Sequence, residues 1–175
     1  MFYYDHESII KGTATKINYA IYKLESLSRY VHRLSLSCLS NKNYNDIKDY
    51  IKFFVDELSS VSFAINEAEI SVNRMITEYK KGLHGSCEGE GKYKYIVTKF
   101  ILDNEGDNTL CNSNKIRVKS IDDELDNSMD IAEFIRDSSN EHEFGNLYVV
   151  LITMQGYVAR LNALLNAASN AKEFV

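Results

Sequence analysis

Proline is absent from this chain of 175 residues, where average usage would supply roughly eight or nine. Glycine is missing between Gly12 and Gly82. So long a stretch without either helix breaker favours long helices. Cysteine is scarce: Cys38, Cys87 and Cys111 make an odd number with no CxxC pair. That pattern speaks against a disulfide framework and for a reducing, cytoplasmic setting. No run of eighteen apolar residues is present, so no membrane span is expected. The segment MFYYDHESII has neither the basic nor the apolar region of a signal peptide. The catalytic signatures GxSxG, GxGxxG and the P-loop are also missing. Gly85, Gly89 and Gly91 punctuate one segment but lack the Gly-Lys-Ser/Thr ending that would hold a phosphate.

What the chain does have is helical periodicity. Tyr44, Ile47, Ile51, Phe54, Leu58, Val61, Ile65, Ala68, Val72, Met75 and Tyr79 fall on alternating steps of three and four. An apolar seam sustained over about five heptads is the pattern of helices packed along their length. It places a helix over 43–81, with Lys80 and Lys81 at its negative end and Gly82 as its cap. Before it, Ile10, Ile17, Leu24, Val31 and Cys38 recur every seven residues, which places a first helix over 5–39. Ser28 and Ser35 thin that stripe on one side, and Cys38 reads as a small core residue. The link at 40–43 is short and polar, so the two helices should be antiparallel neighbours.

After Gly91 the period changes. Residues 92–102 are rich in β-branched and aromatic side chains, 103–108 read as a turn, and Lys115 to Lys119 alternate charged with apolar. This predicts an inserted β-hairpin over about 92–119, pairing 92–102 with 110–119. Ser120 would then cap a shorter helix over 120–137, with Ile121, Leu125, Met129, Ala132 and Ile135 on its apolar face. Asn140 and Glu143 form a capping box opening a last helix over 141–172. Its seam runs Phe144, Leu147, Leu151, Met154, Val158, Leu161, Leu165 and Ala168, widened by Val150, Tyr157 and Leu164. The expected fold is mainly α: one domain over 1–175, an antiparallel bundle of three long helices and one shorter helix carrying the hairpin.

Three surface features could carry function. Helix 2 has an apolar ridge away from its seam, at Phe53, Phe63 and Ile70, which needs another cover. The expected hairpin is the most basic part of an acidic chain, through Lys92, Lys94, Lys99, Lys115, Arg117 and Lys119. Such a ribbon could hold phosphates or an acidic partner, although a net charge of −5 argues against a general nucleic-acid binder. The third is Arg136-Asp-Ser-Ser-Asn-Glu-His142. An Arg and a His at this spacing resemble the motif of HEPN-family ribonucleases, which are all-helical domains. The resemblance covers these seven residues alone. It implies His142 as acid/base and Arg136 as the group steadying charge on the scissile phosphate of RNA.

Metal sites are poorly supported: His84 and Cys87 have no matched second pair, and Asp103 to Asn108 lack EF-hand spacing. No metal or cofactor is expected. The leading expectation is a non-enzymatic protein–protein interaction protein, such as an adaptor, inhibitor or assembly subunit. Its partner would be another protein or a second copy of itself. Small chains of this composition without an enzyme motif are often phage, plasmid or pathogen factors that target a host protein.

Overall fold

The computed structural model of the chain describes residues 6–40, 47–84, 110–138 and 141–170, with side chains over 11–38, 49–78, 112–134 and 146–169. These residues form four helices: α1 (His6–Ser40), α2 (Ile47–His84), α3 (Leu110–Ser138) and α4 (Glu141–Asn170). Their lengths are 35, 38, 29 and 30 residues. All four are therefore long, where the sequence reading allowed only three.

The directions follow from which residues meet. Lys16 faces Glu67, Lys23 faces Glu57 and Tyr30 faces Phe53, so α1 and α2 are antiparallel. Asn18 meets Asn114, Ser28 meets Glu124 and His32 meets Ser128, so α1 and α3 run parallel at a constant offset of 96 residues. On the opposite side Leu58 meets Tyr157 and Glu69 meets Arg160, so α2 and α4 also run parallel. The fold is two αα-hairpins laid side by side and pointing the same way. Around the bundle the order is α1, α2, α4, α3, and α1 also touches α4 across the diagonal.

One core runs down the middle, built from the heptad positions. Ile17, Ile21 and Leu24 of α1, Phe54, Ile65 and Met75 of α2, Leu125 of α3, and Leu147, Leu151 and Met154 of α4 are all fully buried. Each such side chain contributes about 1.5–3 kcal/mol on leaving water. Cys38 belongs to the same core, as expected, and burial pushes its thiol pKa up, which keeps the sulfur protonated and unreactive.

The expected β-hairpin is corrected in its second half: among the described residues there is no β-strand, and 110–119 form the opening turns of α3. Lys115 to Lys119 can be read with a period of two, but Asn114, Val118, Ile121, Leu125, Ser128 and Ala132 also repeat at three and four. Those six are the buried positions among the described side chains of α3, while Ile116 is 66% exposed on its far side. Ser120, read as a cap, is thus interior to the helix. The first expected strand, 92–102, lies outside the described residues. Helical backbone also continues through Gly82 to His84, so Gly82 does not end α2.

Within α4, Asn146–Ser169 contains an 18-residue window of mean hydropathy 1.3, so the stretch is long and apolar enough by length and composition to cross a membrane. Scattered Asn, Gln and Gly hide this from a search for an unbroken apolar run. In the fold, Leu147, Leu151, Met154, Val158, Leu161 and Leu165 from that stretch face the core.

Candidate functional site

The three residues of the expected ridge on α2 are all exposed: Phe53, Phe63 and Ile70. They do not form one surface. Phe53 turns toward α1, where its ring meets Tyr30 edge-on at 6.4 Å and 86°. Phe63 lines a different groove, between α2 and α4, with Val55, Tyr157 and Arg160. Ile70 lies seven residues, two helical turns, further along the same side as Phe63.

Phe53 is the centre of the more feature-rich surface. Two adjoining depressions, of about 370 and 610 Å³, lie on either side of the Tyr30–Phe53 pair. The first is walled by Tyr22, Lys23, Arg29 and Glu57, the second by Leu34, Asp49, Tyr50 and Phe54, and both share Tyr30, Arg33 and Phe53. Helical spacing accounts for the assembly. Tyr22, Ser26, Arg29 and Arg33 recur at steps of three and four, opposite the buried stripe of α1. Tyr50 and Phe53 are one turn apart on α2 and arrive beside them because the two helices are antiparallel.

The electrostatics are uneven. On the α1 side the charged rim is entirely cationic: Lys23, Arg29 and Arg33. Lys23 pairs with Glu57 at 3.6 Å and Arg29 with Glu25 at 3.2 Å. Arg33 is exposed and has no ion-pair partner among the described residues. Tyr22, Tyr30, Tyr50 and Phe53 each keep about half their surface in water. Tyrosine and arginine are the residue types over-represented where binding energy concentrates. The sequence reading found Phe53 but missed Tyr22, Tyr30 and Arg33; the signal was a second, polar-aromatic stripe on α1 at helical spacing.

The other candidates stand differently. Lys92, Lys94 and Lys99 lie outside the described residues. Lys115, Arg117 and Lys119 sit on α3, not on a ribbon, and Arg117 is engaged, half-buried, at the boundary with α1. Its Nε and Nη2 donate to the two carboxylate oxygens of Glu25 at 3.4 and 3.5 Å, and its Nη1 to Asn114 Oδ1 at 3.3 Å. Arg136 falls in the last turn of α3 and His142 in the first turn of α4. The motif therefore straddles the α3–α4 junction, and both side chains lie outside the described residues. Among the described residues no three His, Cys, Asp or Glu side chains gather to hold a metal ion. Compared with known proteins, the chain matches no family model, no curated protein and no solved structure.

Proposed function

We propose that this protein is a non-enzymatic docking module that binds another protein through the groove between α1 and α2. One observation carries the reading: four half-exposed aromatic rings gather around the guanidinium of Arg33, which has no ion-pair partner among the described residues. The rings supply apolar area at low entropic cost, and the α1 rim supplies three cations. The fitting occupant is an amphipathic helical segment that inserts an apolar anchor beside Phe53 and sets carboxylates against Arg29 and Arg33. The floor is already formed by the packed α1 and α2, which keeps the cost of binding down.

The test is selection of displayed helical peptides against the folded chain, followed by titration with single variants. Selected peptides should combine Asp or Glu with a large apolar residue. Phe53→Ala and Arg33→Glu should each weaken them by at least about tenfold, or 1.4 kcal/mol, while leaving the thermal midpoint in place. Peptides indifferent to both substitutions would rule the groove out.

A further inference from the structure

We infer that the anchor this groove takes from its partner is an aromatic side chain with a hydrogen-bond donor at its tip, tryptophan or tyrosine, and that Asp49 accepts from that donor. The inference rests on the docking reading of the α1–α2 groove. It adds to that reading the chemistry of the anchor and its spacing from the partner's carboxylate.

The wider depression, of about 610 Å³, falls within the size range of pockets that enclose a ligand group. Its floor is apolar, with Phe54 buried in the core and Leu34 half-buried against it. Tyr30, Tyr50 and Phe53 stand around that floor, each with about half its surface in water. Two charges complete the lining, Arg33 and Asp49. Helix geometry fixes where they stand. Tyr30 of α1 meets Phe53 of α2, and the two helices are antiparallel. One turn toward the C-terminus of α1 reaches Arg33, and one turn toward the N-terminus of α2 reaches Asp49 and Tyr50. The cation and the anion therefore sit at one level on opposite walls. Both are exposed, and neither has an ion-pair partner among the described residues.

This arrangement discriminates among anchors. A carboxylate entering the slot gains at Arg33 and loses at Asp49, and an ammonium does the reverse. Either one also gives up water over an apolar floor. An aliphatic side chain covers the floor but offers nothing to the rings or to Asp49. A neutral ring bearing one N–H or O–H covers the floor, packs edge to face against the surrounding rings, and donates to Asp49 without repelling Arg33. A hydrogen bond to an ionised acceptor is the stronger kind. Asp49 also lies in the first turn of α2, where a carboxylate suits the helix dipole. Any position in that turn would serve the dipole, whereas only the side turned to α1 lines the depression. Arg33 is left for a partner carboxylate on the adjoining turn. The segment should therefore carry its acid and its aromatic anchor three or four residues apart.

The experiment is a fluorescence-anisotropy titration of the full chain with helical peptides selected on the groove. The anchor position is held in turn by tryptophan, tyrosine, phenylalanine and leucine. Tyrosine and phenylalanine differ by one hydroxyl, so their ratio reads the bond to Asp49. Tyrosine should bind at least about fivefold tighter than phenylalanine, the net worth of one hydrogen bond. Asp49→Ala should erase that difference and leave the phenylalanine peptide nearly unchanged, while Phe53→Ala should weaken all four. Three results would overturn the anchor assignment and leave the docking groove standing: equal binding of tyrosine and phenylalanine, a tyrosine preference that survives Asp49→Ala, or leucine preferred to every aromatic. The second of these, with a lowered thermal midpoint, would mark Asp49 as serving the helix dipole alone. A selection that yields no binding peptide, or peptides indifferent to both Phe53→Ala and Arg33→Glu, would overturn the groove and the anchor together.

Discussion

Ser28 Oγ donates to Glu124 Oε1 at 2.7 Å across the parallel pair of α1 and α3, and this bond sets the register of the two hairpins together with two others at the same offset. Asn114 Nδ2 donates to Asn18 Oδ1 at 3.2 Å, and His32 Nδ1 and Ser128 Oγ share a bond at 3.0 Å. Ser28, Asn114 and Ser128 are all buried in positions that a uniform apolar core would give to Leu or Val. A slip of one turn would leave all three without their partners. Each orphaned group costs about 1–3 kcal/mol, so the polar seam opposes a misregister that apolar packing alone would tolerate.

Ser28→Ala tests this directly. The substitution removes the donor to Glu124, and stability should fall by about 1 kcal/mol, the usual net worth of one such bond. A double-mutant cycle with Glu124→Ala, read by urea denaturation, isolates the pair. A coupling of at least about 0.5 kcal/mol is expected. A coupling indistinguishable from zero would mean that the bond is formed without contributing.

The sequence alone revealed the polar thinning at Ser28 and Ser35, but not what it faces. The long helices were legible because their seams run for many turns without a breaker, so that no other period competes. Antiparallel α1 and α2 followed from the short link between them. The pairing of α1 with α3 did not, since it depends on contacts 96 residues apart that leave no local trace. The groove around Tyr30 and Phe53 was half legible. Phe53 stands out as apolar on a polar face, whereas Tyr22 and Tyr30 join the groove only because the fold places α2 beside α1.

Phe54 and Phe63 separate core from surface within one helix. Phe54 is 1% exposed and Phe63 is 67% exposed. Phe54→Ala should cost about 3–5 kcal/mol, through lost transfer energy and the cavity left behind. Against a typical total of about 5–15 kcal/mol this brings the chain close to unfolding at 37 °C. Phe63→Ala should stay within about 0.5 kcal/mol for the monomer. Equal losses, measured by thermal denaturation at low concentration, would contradict the burial pattern of α2.

Asp122 gives a pH dependence of defined sign. Its carboxyl pKa is raised above the ordinary value near 3.8, first by partial burial and then by the charges of Asp126 and Asp123, with Lys119 acting in the opposite direction. The folded state therefore binds this proton more tightly than the unfolded state does. Above the raised pKa the ionised group is a standing penalty, and the penalty is relieved as pH falls through that pKa toward 3.8. Asp122→Asn should therefore stabilise the protein at pH 7, by about 0.5 kcal/mol or less because the site is only partly buried and is screened. The advantage should shrink on acidification and in high salt. Denaturation of both proteins at pH 7 and pH 4 measures it, and a larger advantage at pH 4 would reverse the assignment.

The opening turns of α3 can be tested by comparing two neighbours. In a strand, Ile116 and Val118 share one face, and truncating either should cost the same. In a helix they stand about 200° apart, given 3.6 residues per turn. Val118 is fully buried among core residues and Ile116 is 66% exposed. Val118→Ala should thus cost about 1–3 kcal/mol, as loss of buried methyl groups does. Ile116→Ala should be neutral or slightly favourable, because alanine is the better helix former and no packing is lost. Lys115 and Lys119, one turn apart on the same face, should tolerate alanine equally. The measurement is the urea midpoint of the four single variants. Comparable losses at 116 and 118 would restore the period of two. A loss confined to 118 fixes the period at three and four, and with it the reason that Asn114 lies deep enough to meet Asn18.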